Sequence, residues 1–349
     1  EIRLSGVGCF YLQNSIRTKT QKTVRMAEEG VEERRRVLVF GATGYLGKHM
    51  VKASVAMGHP TSVYVRPIQP PPSRRLLYLQ ALQAMGVTVF YGELEEEEKV
   101  VEALKQVDVV ISTLAVPQHL DQLKIIAAIK RAPHIQRFVP SEYGNDADRT
   151  TALPPFQSLL ENKKKVRRAT EAAGIPYTYI SGNSFAAYFV NYLLRPADVQ
   201  TVDHLTVYGS GRAKAVLNLE EDVAAYTVMA AMDPRAENRV VVVRPPENTV
   251  SQMDLITWWE QATGRSFSRR HVPDEELVNL AHSVAFPENV PPAILHSIFV
   301  KGDQTCFQLI EGEDVEASVL YPNHPYTPIR DFLHTCVSHA PPSTLASFI

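Results

Sequence analysis

The first hydrophobic run that stands out along the chain is Val37-Leu38-Val39-Phe40, four apolar residues in succession between Arg36 and Gly41. An apolar run of this length, without polar alternation, predicts a strand buried on both faces, as in a parallel sheet. From there to about Ile180, strand-like and helix-like stretches alternate. Further strands are expected at Thr61–Val65, Val87–Tyr91, Val107–Ser112, Arg137–Pro140 and Tyr177–Ile180. Helices are expected at Lys48–Met57, Arg74–Met85, Glu95–Gln106, Leu120–Arg131 and Pro155–Ala173. This alternation predicts an α/β fold with a doubly wound parallel sheet and right-handed crossovers. Ligands of such sheets bind at the carboxyl ends of the strands, so the loops Thr113–His119, Ser141–Thr151 and Ser181–Tyr192 become the segments of interest.

Beyond Tyr192 the pattern loosens. Leu205–Gly211 reads as a strand entering a tight turn and Glu220–Met232 as a helix. Arg239–Val243 reads as a buried strand that rejoins the sheet. Met253–Thr263 and Asp274–His282 look helical, and Asp303–Ile310 looks like a strand. The division expected is a main domain over 34–182, rejoined by about 219–243, with 183–218 and 244–337 forming a smaller C-terminal substrate-binding lid. Residues 338–349 read as a loosely held tail, and 1–33 as a disordered N-terminal extension. The first 25 residues carry five basic residues (Arg3, Arg17, Lys19, Lys22, Arg25) and one acid. That composition is compatible with a transit peptide. The reading preferred here is an upstream extension ahead of a natural start at Met26.

The turn after the first strand adds chemistry. Gly41, Gly44 and Gly47 stand in G-x-x-G-x-x-G spacing between strand and helix. They suit, in order, a sharp turn, close approach of backbone to a pyrophosphate, and close packing of helix on sheet. The helix N-terminus would then face the phosphates with free N–H groups. This is the Rossmann-type dinucleotide site. Arg66 ends the second strand, 19 residues after Gly47, where an NAD site would carry an acid for the ribose 2′-OH. An arginine there favours a 2′-phosphate, hence NADPH over NADH, and Arg74 or Arg75 offers a second cation.

Bulk numbers exclude several classes. A net charge of −2 over 349 residues argues against nucleic acid as the main partner. No apolar run approaches the roughly 18 residues of a membrane span. The three cysteines, Cys9, Cys306 and Cys336, form no C-x-x-C pair. They fit a reducing, cytoplasmic setting without a structural metal. No interface stripe is evident, which leaves a homodimer open.

A proton-handling group is needed beside a nicotinamide. No lysine has a tyrosine four residues before it, so a Tyr-x-x-x-Lys pair is absent. The candidates lie in PPFQSLLENKKKVRR (154–168). Lys163 and Arg167 share one helical face, and Lys164 and Arg168 the next. One lysine turned inward, near other cations and partly buried, would have its pKa lowered toward the working range of a general acid/base. Spacing alone does not choose among Lys163, Lys164 and Lys165. Phe185, Tyr188, Phe189 and Tyr192 recur every three or four residues and form one face. Such a stripe serves core packing or a flat aromatic pocket, with Tyr188 and Tyr192 able to hold a phenol.

GATGYLGKHMVKASVAMGHPTSVYVRP, FVPSEYGNDADR, KVRRATEAAGIPYTYISGNSF and HSIFVKGDQT resemble the plant isoflavone reductase-like family, NmrA-type atypical short-chain dehydrogenases, from Arg36 to about Val337. Stretches such as AVPQHLDQLKII (115–126) and SFAAYFVNYLLRPAD (184–198) look most like its eugenol and isoeugenol synthases, whereas VKGDQT (300–305) leans toward its benzylic ether reductases. The resemblance implies NADPH as cofactor and a small phenylpropanoid, such as a coniferyl acetate-type ester, as substrate. Hydride would be transferred to a quinone methide. The alternatives are reduction of phenylcoumaran or pinoresinol-type benzylic ethers, and an NADP(H)-binding sensor without turnover. It implies Lys163 as the catalytic residue. Gly41, Thr43, Gly44, Tyr45, Leu46, Gly47, Arg66, Arg75, Gln118, Arg167 and Phe185 fall on its cofactor side. Val116, His119, Tyr188 and Tyr192 fall on the substrate wall. Val116 and His119 depart from the aromatic and aliphatic residues more usual in eugenol synthases, which bears on substrate fit and on the carbon that receives hydride.

Overall fold

The computed structural model describes residues 34–67, 74–195 and 203–342. The expected N-terminal extension, the proline-rich turn after Pro67 and the tail beyond Pro342 lie outside them. In chain order the first half runs β1 (Val37–Phe40), α1 (Tyr45–Ala56), β2 (Thr61–Val65), α2 (Arg74–Ala84), β3 (Thr88–Tyr91), α3 (Glu97–Leu104) and β4 (Val109–Ser112). A 3₁₀ helix (Val116–Asp121) leads into α4 (Gln122–Lys130), followed by β5 (Arg137–Val139), α5 (Pro154–Ala172) and β6 (Thr178–Ser181).

The second half runs β7 (Ser184–Phe185), α6 (Ala186–Leu194), β8 (His204–Tyr208), β9 (Lys214–Asn218), α7 (Glu220–Met232), β10 (Arg239–Val242) and β11 (Thr249–Ser251). Then come α8 (Gln252–Thr263), β12 (Ser268–Val272), α9 (Asp274–Ser283), α10 (Val290–Leu295), β13 (Asp314–Glu316), α11 (Ala317–Leu320) and α12 (Ile329–Ser338).

The sheet has the order β3-β2-β1-β4-β5, all parallel. A parallel bridge from Phe138 to Tyr177 connects it to a second parallel group, β6-β10-β13. The continuous apolar run of β1 is explained by what covers each face. Val37 and Val39 pack with Leu46, Met50 and Val51 of α1 and with Val223 and Tyr226 of α7. Leu38 and Phe40, pointing the other way, pack with Leu104 of α3, Ile125 and Ile129 of α4 and Val166 of α5. Successive side chains of a strand alternate faces, so a strand covered on both needs apolar residues throughout. A further core, centred on α6, β8, α8 and α12, holds Phe189, Leu205, Trp259 and Leu333. The described residues from Arg36 onward make up one compact unit.

Two expectations are corrected. Asp303–Ile310 is not a strand. Gly302 has φ +69°, and Thr305 and Cys306 donate backbone hydrogen bonds back to its carbonyl, so the chain turns there. Phe307, one of the apolar residues of that stretch, instead has the guanidiniums of Arg149 and Arg244 over its ring, 5.3 Å and 5.1 Å from the centroid. The strand of this region is β13, paired with β10. The loop after β4 is likewise not irregular throughout, since Val116–Asp121 forms the 3₁₀ helix, with Pro117 supplying the φ its first turn needs.

Candidate functional site

The carboxyl ends of β1, β2, β4, β5 and β6 open into one cavity of about 680 Å³. Phe40, Gly41, Ala42, Thr43, Gly44, Tyr45 and Leu46 form its floor. Gly41 has φ +76°, and a Cβ there would stand 2.6 Å from the Thr113 carbonyl oxygen. A Cβ on Gly47 would lie 2.1 Å from the Gly41 carbonyl oxygen, so Gly47 lets α1 sit on the turn without itself reaching the cavity. The first turn of α1 has no side-chain cap and no acidic residue. Its partial positive charge is therefore left for an anion.

Arg66 and Arg75 line the same cavity. Arg75 donates to the Arg66 carbonyl oxygen at 3.2 Å, and its Nε is buried without a partner. Burial, and then the charge of Arg66, lower its pKa. Two neighbouring guanidiniums with a buried, unsatisfied N–H fit a phosphate dianion, and the residues present therefore suit a 2′-phosphorylated dinucleotide. Thr113, Gln118 and Phe185 line the cavity as well.

On α5, Lys163 turns inward and is 8% exposed, while Lys164 pairs with Glu161 and Lys165 is exposed. Lys163 Nζ donates to the Glu142 carbonyl oxygen at 2.8 Å. Burial pushes its pKa down to about 8, and Arg167 adds to this, against the opposing charges of Glu142 and Asp146. Arg167, expected on the cofactor side, does not line the cavity. Its guanidinium is 2.5 Å and 2.7 Å from the two oxygens of Glu142, 3.4 Å from Asp146 and 3.0 Å from Asp148, and it stacks over Tyr179. Three carboxylates consume its donors, so it shapes the loop that holds Lys163.

His119 lines the cavity near Lys163 and is buried. Burial, and then the Lys163 charge, push its pKa down to about 3, leaving a neutral imidazole. Val116 lies beside it. Phe185, Tyr188, Phe189 and Tyr192 all line the cavity, the Tyr188 and Tyr192 rings stacked at 6.3 Å with 9° between planes.

Several residues here escaped the sequence reading. Tyr143 (φ 46°) and Asn183 (φ 61°) hold left-handed conformations on adjacent loops, tied by a bond from Asn183 N–H to the Gly144 carbonyl. Strained non-glycine residues of this kind concentrate at functional sites. Glu220, at the start of α7, accepts from the Tyr45 hydroxyl and from the Ala187 N–H, joining the glycine turn to α6. Only its place opening an acid-rich helix could have flagged it. Among the described residues no cluster of three His, Cys, Asp or Glu could hold a metal, and no helix is long and apolar enough to cross a membrane.

Residues 33–333 match the model of the NmrA-like family. The chain is 54% identical over 314 residues to an isoeugenol synthase from Petunia hybrida, covering 90% of this chain and 97% of that protein. It is 44% identical over 302 residues to a phenylcoumaran benzylic ether reductase from Pyrus communis, covering 86% of this chain and 98% of that protein. Among solved structures, the binary complex of leucoanthocyanidin reductase with NADPH from Vitis vinifera matches with a TM-score of 0.80 at 33% identity, over 86% of this chain and 99% of that one.

Proposed function

The chain belongs to the NmrA-like family, in its isoflavone reductase-like branch, and on that premise we propose that it is an NADPH-dependent phenylpropanoid reductase acting on an ester of a phenylpropenyl alcohol, such as coniferyl acetate. The observation that carries the reading is Lys163. It is a buried lysine with its pKa near 8, in one cavity with an uncapped glycine turn, a guanidinium pair and an aromatic wall. A base of this kind is matched to a phenol. Neutral Lys163 takes the phenol proton, the Glu142 carbonyl holding one of its N–H groups. Electron release from the phenolate expels the carboxylate and leaves a quinone methide. Bound NADPH supplies the hydride that quenches it. Addition at the ring-proximal carbon gives eugenol, and at the terminal carbon isoeugenol. The 54% identity to an isoeugenol synthase supports the second product. Tyr188, Tyr192, Val116 and His119 would hold the ring against the nicotinamide, and exclusion of water by this wall would protect the quinone methide.

Arg66 and Arg75 are assigned to the 2′-phosphate. Removing either guanidinium is expected to raise the KM for NADPH by about 10- to 100-fold, the equivalent of a charge-assisted hydrogen bond, and to leave the KM for NADH nearly unchanged. Steady-state kinetics with the two cofactors check this. An equal effect on both would assign the pair to folding instead.

The 44% identity to a benzylic ether reductase, together with VKGDQT (300–305), favours a second reading, cleavage of a benzylic ether in a dimeric phenylpropanoid. Product analysis by gas chromatography after incubation with NADPH and coniferyl acetate separates the two. Isoeugenol or eugenol is the expected product. Consumption of NADPH only with dehydrodiconiferyl alcohol or pinoresinol would move the chain to the ether reductases. Cofactor binding without oxidation by any of them would leave a sensor.

A further inference from the structure

The VKGDQT stretch has no part in the chemistry above, yet two of its residues are buried against the cavity wall. Gln304 is 1% exposed, and Asp303 is buried beside it. Gln304 Oε1 accepts from the Val216 backbone N–H at 2.8 Å. That bond fixes which end of the amide faces where, because a backbone N–H can only donate. Gln304 Nε2 must then donate, and it does so to Asn145 Oδ1 and Ser184 Oγ, both at 2.8 Å. Asn145 Nδ2 in turn donates to Ser297 Oγ at 3.2 Å, and the Ser297 hydroxyl donates to Asp303 Oδ2 at 2.6 Å. Every donor in this chain points the same way, from Val216 to a carboxylate that can only accept. All five side chains are buried.

Two members of the chain, Asn145 and Ser184, line the cavity. Asn145 ends the loop whose Glu142 carbonyl accepts from Lys163, and a Cβ on Gly144 would lie 3.3 Å from Lys163 Nζ. Ser184 opens the segment that carries Phe185 and α6. We propose that Gln304 is a positioning residue for Lys163. It locks the 142–145 loop to the start of the aromatic wall through a one-way hydrogen-bond chain ending on Asp303. The proposal rests on the reading that Lys163 acts on the substrate. Gln304 itself touches neither substrate nor cofactor.

The polarity of the chain supplies the test. Gln304→Glu keeps the shape but places an acceptor against Asn145 Oδ1. Turning Asn145 over moves the conflict to Ser297 and Asp303, since the hydroxyl would then have to donate to Asn145 and face the carboxylate with a lone pair. Asp303→Asn relieves that conflict, because its amide can donate to Ser297. The double variant runs the same chain in reverse with the net charge of the natural protein.

Gln304→Glu is therefore expected to lower kcat by about 10- to 100-fold, the scale of a small misplacement of a reacting group, with the KM for NADPH within about twofold. Asp303→Asn alone is expected to stay near the natural rate, and the double variant to recover most of it. Gln304→Met, which adds no charge, is the second probe. The pH dependence of Lys163 acylation by acetic anhydride, read by mass spectrometry, needs no substrate. Its midpoint should move up in Gln304→Met from about 8 as water reaches a loosened amine beside Glu142, Asp146, His119 and Arg167. An unmoved midpoint with unchanged turnover would overturn the proposal, as would a double variant as impaired as Gln304→Glu. If the natural protein turns over no ester or ether, the functional reading fails, and the acylation midpoint alone decides for or against positioning.

Discussion

Lys163→Met is expected to lose about 10²- to 10⁴-fold in kcat, the usual contribution of a positioned general base, while its dissociation constant for NADPH stays unchanged. The cofactor is assigned to groups that this substitution leaves alone, the glycine turn and the Arg66–Arg75 pair. The same variant is expected to be more stable than the natural protein at pH 7. Burial pushes the Lys163 pKa from the ordinary 10.5 down to about 8. A lowered lysine pKa means that folding disfavours the ammonium, by roughly 3 kcal/mol when the group is charged in both states. The penalty is fully present below pH 8, where folded and unfolded chains are both protonated. It fades between pH 8 and 10.5, where only the unfolded chain keeps the proton, and is gone above. Urea unfolding at pH 7 and at pH 10 should therefore show the methionine variant ahead by about that amount at the lower pH and by about 1 kcal/mol or less at the higher. Activity of the natural protein should rise with pH to a plateau above about 8, without a second inflection from His119, which stays neutral well below that range. Normal turnover by Lys163→Met would remove this lysine from the mechanism.

Arg167→Met is expected to destabilise the fold by about 3–5 kcal/mol, because it leaves the buried Glu142 carboxylate without its paired counter-charge, while Asp146 keeps Arg149 and Asp148 keeps Arg168. Glu142 and Asp146 are almost completely enclosed, and Arg167 supplies both Glu142 oxygens with a donor. The Tyr179 ring under the guanidinium and the Tyr179 hydroxyl bonded to the Arg167 carbonyl add to the same joint. Arg167→Lys should recover only part of the loss, since one ammonium cannot reproduce the planar fork that meets three carboxylates. Turnover should fall with stability, because the backbone of Glu142 holds Lys163. Thermal melts of both variants check the order methionine below lysine below arginine. A melting temperature for Arg167→Met equal to that of the natural protein would show that the cluster contributes nothing net.

These two residues also show how far the sequence can be read. Helix phase puts Lys163 and Arg167 on one face, and that much holds, since both are buried on α5. Phase alone could not choose Lys163 over its two neighbours. The resemblance singles out Lys163, and in the structure its Nζ meets the Glu142 carbonyl of the 142–145 loop. Nor could spacing show that Arg167 spends its donors on Glu142, Asp146 and Asp148, because those carboxylates sit in an aperiodic loop. The strand expected at Asp303–Ile310 failed for a related reason. Phe307 serves cation–π contacts with Arg149 and Arg244, and Asp303 and Gln304 serve a hydrogen-bond chain, neither of which has a period.

What the sequence determined by itself was the alternation of strands and helices up to Ile180, a buried strand at Arg239–Val243, the glycine turn after β1 and the aromatic face of α6. Each is written locally, as a run length, a period of two or 3.6, or a residue without a side chain where none fits. Only the tertiary structure decided what Lys163 meets in the cavity, that Arg167 supports the site from behind, that Glu220 joins the glycine turn to α6, and that Gln304 reaches Asn145 across 159 positions of chain. Those are matters of donor, acceptor and charge meeting across the fold, and a buried polar group finds its partner by position in space, whatever its distance in sequence.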